Sequence, residues 1–486
     1  MIKQSLVWRS THIHFWKEHP ALLLALSLLW GISCYLYPSE VLFFAAIWLI
    51  YLLVIGSSSG ISLLLIGWGY AFFLYAGAPS AESRIPIEGI FCISSLQPHS
   101  SPFHKDLLYK GTLYTPHPIA CSFCLPIKNR LKADKDYWVS GSLMERGTLQ
   151  YTFKLKQSKP LPASRYRWAE KRYQYKERFR TFLQRTTSPK SASLLGSLIT
   201  GDVEDRLLRY TFNRTGLQHL LAISGFHFAL LITLLSGLFK MTLPRVIHVY
   251  FLLGALTLYF LFVGSAPAIF RSFCTAFLYF LGKILHRRST ALNLLGGAML
   301  LELLIDPLVC SQIGFQLSFV SCASLLIFFP TLNKLLQRLL PKREISELAT
   351  MSPFSSVGYL LCSFFRSSLC VTLAVNLALL PLLFTHFHTF SLLSLIYNLF
   401  FPLAISGSLF LLLISLALYL LCAPLGQFFL SVTDFWTLQL LELLSYPPLF
   451  LERCWHINDL PAWVCIGYLL VIFLGSIKAP CVRKVS

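Results

Sequence analysis

Charge is scarce in this sequence, and acidic charge scarcest. Asp and Glu number 21 against 41 Lys and Arg, and the four types make up 13% of 486 residues, about half the share in an ordinary soluble protein. With 55% of residues hydrophobic, that shortage excludes a conventional water-soluble fold. No GxxxxGK[ST] phosphate loop occurs, so any motor of that kind must be a partner. No small-residue cleavage site follows the first apolar block, and the N-terminus is expected to be retained. Cys121 and Cys124 form a CxxC but lack the second pair that would complete a zinc site, so neither a metal nor another cofactor is expected.

The apolar residues come in blocks long enough to cross about 30 Å of hydrocarbon, which takes roughly 17 to 25 residues. Blocks at 21–37, 41–55 and 61–76 precede a polar stretch, and further blocks run from 217 to 477. They predict a polytopic α-helical membrane protein of about 10–12 transmembrane helices, with 391–422 readable as one helix or two. Lys and Arg concentrate in cytoplasmic loops. Lys3, Arg9 and Lys17 place the N-terminus inside, and three crossings then place residues 79–190 outside. Lys240 and Arg245, Arg287 and Arg288, and the basic residues of 334–343 fall inside, alternating with outer loops at 264–267 and 306–312. Lys478, Arg483 and Lys484 place the C-terminus inside as well.

Of the formal net charge of +20, residues 79–190 supply +12, from 20 Lys and Arg against 8 Asp and Glu. Alternating runs at 87–94, 107–114, 137–143 and 149–155 predict a small external β-rich domain. An oligonucleotide-binding-like (OB-like) barrel fits its size, although alternation alone does not choose between barrel and sandwich. Cys92, Cys121 and Cys124 lie here, and an oxidising compartment would allow a disulfide between Cys92 and one of the other two. Most other cysteines sit inside apolar blocks as small hydrophobes. From 164 to 184 the period becomes helical, with Trp168, Tyr175, Phe179, Phe182 and Leu183 on one face and Arg165, Lys171, Lys176, Arg178 and Arg180 over the rest. Such a helix can lie on anionic headgroups or guide a polyanion, its cations meeting phosphates and its rings stacking on bases. The two uses are compatible.

Residues 197–231 read SLITGDVEDRLLRYTFNRTGLQHLLAISGFHFALL and carry His219, Ser224, Gly225 and His227 at membrane depth. Polar groups there usually face a partner or a watery cavity, and the histidines could also simply bond neighbouring helices. The segment resembles the ComEC family of competence DNA-uptake proteins, whose GlxHLLAISGlH stretch follows a GD and an RxTG. The counterparts are Gly201-Asp202, Arg214-Thr215-Gly216 and 217–227, with Phe226 where Leu is usual. Residues 264–271 (GSAPAIFR) are similar to the family's GxxPsxxRA, and Asp306-Pro307 with 314–319 (GFQLSF) are similar to DPL followed by GFQLSF. Residues 376–402, with Leu380-Pro381 and Tyr397-Asn398, match more weakly, and the likeness spans about 160–420.

The resemblance implies a channel carrying one DNA strand across a bacterial inner membrane, with an external OB-like domain before it. Its path would be lined or supported by His219, Ser224, Gly225, His227, Arg271, Gln316 and Asn376. Arg271 is costly in lipid and should face protein, water or a phosphate, unless it snorkels to the outer headgroups. Implied partners are single-stranded DNA, an external DNA receptor and a cytoplasmic DNA helicase or ATPase; membrane lipids surround the chain, and a homo-oligomer is compatible with the sequence, which does not set the oligomeric state. Many family members carry a metallo-β-lactamase-like domain. No HxHxDH occurs here, and His386 and His388 form an HxH without the Asp and His that should follow, so strand degradation is expected elsewhere, if at all.

The expected organisation is then N-terminal transmembrane helices over 1–78, the OB-like domain over 79–160, the basic interfacial helix over 161–190, the channel core over 191–420, and C-terminal membrane helices with a cytoplasmic tail over 421–486. A secondary transporter or lipid flippase would share the broken helices but not the basic external domain. A membrane-embedded hydrolase would use Ser224 and His227, yet GxSxG is absent and no orienting carboxylate is evident, so no enzyme is expected.

Overall fold

The computed structural model describes residues 2–77, 85–100, 105–115, 118–147, 149–164, 168–223, 225–242, 244, 247–343, 345–446, 454–456 and 460–477. Helix α1 (Ile2–Glu18) meets α2 (Pro20–Leu36) at a 97° bend, where Pro20 lacks the N–H that would continue the first helix. Helices α3 (Pro38–Ile55) and α4 (Ser58–Tyr75) follow.

Next come five strands, β1 (Ile85–Ser100), β2 (Lys105–Tyr114), β3 (Pro118–Pro126), β4 (Lys135–Gly147) and β5 (Gln150–Ser164), closed into a barrel in the order β1-β2-β3-β5-β4. Every neighbouring pair is antiparallel except β3 and β5, which run parallel at Cys121–Tyr151 and Ser122–Thr152. The alternation predicted a small β-rich domain and left barrel and sandwich open; the structure closes it as a five-stranded barrel of OB-like, Greek-key order. Phe91, Leu107, Tyr109, Phe123, Val139 and Phe153 fill its core, with Tyr109 stacked on Phe123 at 5.1 Å. Gly111 and Gly141 have no room for a Cβ, which would strike the carbonyl oxygens of Cys92 and Lys154 and then the Phe91 and Phe153 rings.

Strand β3 is the one that alternation missed. Its inward residues are Ile119, Cys121 and Phe123, but its outward Ala120 and Cys124 are themselves apolar, so the alternation does not show in the sequence. The register also answers the disulfide expectation, which the structure does not meet. Cys92 on β1 and Cys121 on β3 are separated by β2, about two strand spacings, while a disulfide needs Cα atoms within about 7 Å. Cys121 and Cys124 are three positions apart on one strand, so one is buried in the barrel and the other exposed.

After the barrel come α5 (Trp168–Thr186), α6 (Pro189–Thr200), α7 (Arg206–Arg214), α8 (Gln218–Leu221), α9 (Gly225–Thr242), α10 (Ile247–Val263), α11 (Pro267–Ile284) and α12 (Ala291–Ile305). A 3-10 turn over Pro307–Ser311 leads to α13 (Ile313–Leu336), α14 (Ile345–Thr350) and α15 (Pro353–Phe387). Strand β6 (Thr389–Ser391), α16 (Leu392–Tyr397), α17 (Phe401–Leu421), α18 (Ala423–Ser445), β7 (Cys454–His456) and α19 (Ala462–Gly475) complete the described chain.

Six of these stretches are long and apolar enough to cross a membrane: α3, α4, Gln218–Met241, α13, α15 and α17. The bent pair α1 and α2 would make a seventh, and α10, α12 and α19 are apolar but shorter. The chain is thus a multi-pass helical membrane protein with a separate β-barrel. Two compact units are built from it. One comprises Met1–Phe72, Phe270–Pro402 and Pro448–Ser486, and the other Phe73–Ile269 and Leu403–Pro447. In the first, small residues let helices touch backbone to backbone: a Cβ on Gly296 of α12 would strike Ala21 and Leu22 of α2, and one on Gly31 of α2 would strike Leu64 and Trp68 of α4.

Candidate functional site

The barrel fixes the start of α5. Tyr109 and Tyr137, both buried in the core, hold the connection between β3 and β4: the Leu131 N–H donates to Tyr109 Oη at 2.9 Å and the Lys132 N–H to Tyr137 Oη at 2.9 Å. This presents Arg130 and the Ala133 N–H to Glu170 on the first turn of α5. Glu170 Oε2 accepts from Ala133 at 3.0 Å, Oε1 accepts from Gln174 Nε2 at 3.0 Å, and Arg130 forms an ion pair with the same carboxylate while its guanidinium lies 4.3 Å over the Tyr173 ring. Burial pushes the Glu170 carboxyl up, but the Ala133, Gln174 and Arg130 interactions outweigh it and hold the group below its ordinary range.

The inward face of α5 is cationic. Lys176 and Arg180 are 3% and 6% exposed, and their nitrogens meet one oxygen, Asp202 Oδ2, at 2.9 and 3.0 Å. Arg180 also pairs with Glu204. Burial lowers the Lys176 pKa, and Asp202 opposes that shift. Arg172, on the same face, donates from Nε to the Leu261 carbonyl at 2.8 Å and lies against Gly264, whose φ of 109° only glycine adopts readily. Lys176 and Arg180 were expected to meet lipid or polyanion; the structure turns them into the protein instead. Trp168, Lys171 and Arg178 are exposed, and Arg165 lies outside the described residues.

The loop carrying Asp202 is shaped by the residues around it. Gly201, at φ 76°, closes α6 with its N–H on the Ser197 carbonyl at 2.9 Å. Asp205 caps α7 by accepting from the N–H groups of Leu207 and Leu208 at 2.8 and 3.3 Å. Buried Thr215 and Gly216, at φ 71°, end α7 and turn the chain into α8. One turn later the helix breaks and restarts as α9 at Gly225, with Ser224 outside the described residues. His219 lies on the short α8, in a hydrogen bond with the Gly216 backbone, and His227 is buried on α9.

Arg271, Gln316 and Asn376 belong to the other unit. Arg271 on α11 is 8% exposed and turned onto α13, with Nε donating to Ser318 Oγ at 2.7 Å and Nη1 contacting Cys322 Sγ. Its charge also acts on buried Glu302 of α12, whose Oε2 has no hydrogen-bond partner among the described residues. Sequence reasoning missed Glu302, a lone acid in an apolar block and a signal by itself. Gln316 donates from Nε2 to the Cys310 carbonyl at 3.0 Å, and its Oε1 meets His386 Nε2 at 2.9 Å. His386, the first histidine of the HxH, is therefore tied to the GFQLSF segment. Asn376 donates to the Thr372 carbonyl of its own helix at 2.8 Å. Among the described residues no group of three or more His, Cys, Asp or Glu could hold a metal ion.

Residues 198–479 match the family described as Competence protein. The chain is also 28% identical over 221 residues to ComE operon protein 3 of Bacillus subtilis (strain 168), an alignment covering 44% of this chain and 25% of that protein. The chain thus spans about a quarter of that relative's length. No solved structure matches it significantly.

Proposed function

Because the chain belongs to the competence protein family, we propose that it takes up DNA in natural transformation as an inner-membrane channel for a single strand. The observation that carries this reading is the family match over 198–479, which takes in the Asp202 loop, the broken helix with His219 and His227, and the segments around Arg271 and Gln316. The barrel before it brings excess positive charge, which attracts a polyanion by releasing counterions from its phosphates.

On this reading the termini are cytoplasmic and residues 79–190 periplasmic, and the path is formed by His219, Ser224, Gly225, His227, Arg271, Gln316 and Asn376. Trp168, Lys171 and Arg178 meet DNA or lipid outside. An external receptor delivers DNA, a cytoplasmic helicase or ATPase draws it in, and the chain catalyses no reaction itself. The deciding experiment follows labelled DNA in a deletion strain with and without the restored gene. Surface-bound DNA should accumulate while protected intracellular strand disappears, and undiminished entry would remove the channel reading.

A further inference from the structure

Once the inward cations of α5 are assigned, an ordered stripe remains on its other side. Residues 168, 171, 175, 178, 182 and 185 follow one another at steps of three and four, one stripe of a helix, and read Trp, Lys, Tyr, Arg, Phe, Arg. Aromatic and cation alternate along it. Trp168 and Tyr175 are 47% and 50% exposed, and Phe182 is half-buried, edge-on to Tyr419 with ring centroids 5.3 Å apart. At the C-terminal end of the stripe an open groove of about 500 Å³ runs between α5 and the barrel's Arg130, with Tyr173, Arg178, Phe182 and Arg185 in its walls. The acid in that wall, Glu177, is 3.4 Å from Arg180, which draws it toward the inward cluster.

We propose that this groove is a nucleotide subsite for single-stranded DNA, with Arg178 and Arg185 meeting backbone phosphates and Phe182 offering its ring to a base, while Arg130, held by Glu170 over the Tyr173 ring, forms the opposite wall. This deepens the channel reading and rests on it. Two bodies contribute, a barrel loop pinned by Tyr109 and Tyr137 and a helix clamped by Asp202, so the walls of the groove are in place before the ligand arrives. Successive rings of the stripe are seven residues apart, about 10.5 Å along the axis, which leaves space for an unstacked nucleotide between them. A helix lying on lipid would turn a continuous apolar face outward; here Ala169 and Leu183 are buried and the outward stripe is half cationic. Stacking of this kind tolerates any sequence, as a channel for unselected DNA requires.

The test uses the full chain in lipid nanodiscs and a fluorescein-labelled oligothymidylate of about 15 nucleotides, followed by anisotropy from about 50 to about 200 mM salt. The double variant Arg178→Gln, Arg185→Gln should bind at least tenfold more weakly at low salt. Its salt slope should fall by about 1.4, the share of two phosphate contacts on a single strand. Arg178→Lys with Arg185→Lys should keep most of the affinity, since a point charge still attracts phosphate. Phe182→Ala should weaken binding roughly tenfold with the slope unchanged. Discs with and without phosphatidylglycerol separate the lipid alternative: if the glutamine variant binds the oligonucleotide normally and loses only its preference for phosphatidylglycerol, the groove is a headgroup site and the proposal is overturned. Normal binding by that variant in both discs overturns it as well, and leaves the channel reading intact so long as the wild-type chain restores DNA entry. A wild-type chain that neither binds the oligonucleotide nor restores entry would remove both.

Discussion

Asp202 gives one carboxylate oxygen to two buried cations, and this makes it the residue whose loss should cost most. Asp202→Asn would leave Lys176 and Arg180 buried with only Glu204 and Glu177 near Arg180, and breaking a buried pair in this way costs about 3–5 kcal/mol. The expected outcome is a large fall in Tm in detergent, partly restored by Lys176→Met, which removes one of the stranded charges. Arg271 is the second informative residue. With Nε on Ser318 it is turned into the protein, so snorkelling no longer accounts for its position. Arg271→Gln is expected to leave protein abundance unchanged and to reduce DNA entry, with Arg271→Lys retaining part of it. Abundance and entry falling together in both variants would make Arg271 a tie between α11 and α13 instead. Neither environment was legible locally. The sequence shows that Lys176 and Arg180 are basic, but their acid lies 26 and 22 positions away in the loop after α6, beyond the reach of any periodicity argument.

At the level of elements, the join between barrel and α5 should be sensitive to acid. The Glu170 carboxyl has a folded pKa below its ordinary value of 4.5, so the docking it provides is fully present above that value and is lost as pH falls through the lower, folded one. Tm measured from pH 7 downward should fall more steeply for the wild type than for Glu170→Gln below about pH 4.5, and the two should converge. Parallel curves would show that the carboxylate does not hold the join. Elements with a clean period were readable in advance: four of the five strands, and α5 itself. What escaped was which side of α5 faces inward, because aromatic and basic residues occur on both sides and only Ala169 and Leu183 settle the matter.

For the whole molecule, the distribution of Lys and Arg sets the expected topology. Reporters fused at Lys128 and at Lys342 should report opposite sides of the membrane, and the same side for both would sink the assignment. Block hydropathy made the multi-pass class plain from the sequence, whereas helix length and composition alone do not fix the number of spans. Helices α12 and α19, of 15 and 14 residues, fall short of the roughly 17 residues that cross about 30 Å of hydrocarbon, α10 just reaches it with 17, and α11 carries Arg271 and Lys283. The family resemblance lay in short motifs, and the structure shows why several are what they are: Gly201 and Gly216 supply positive φ, and Asp202 supplies the shared oxygen.

The closure of the barrel has a consequence for how the protein is made. Strand β1 finds its second partner only in β4, from Ile85–Leu143 to Cys92–Asp136, and β3 finds its own only in β5. During synthesis, therefore, β1, β2 and β3 can form at most an open meander, with unpaired edges of the kind that recruit other chains. No closed body exists until residues past 150 have been delivered to the same side of the bilayer as residue 85. The segment stays open for all that time, and then locks by long-range pairing, a slow class of folding step. A pause in delivery between β3 and β4 would prolong that exposure, whereas a pause after α5 would hold a finished barrel.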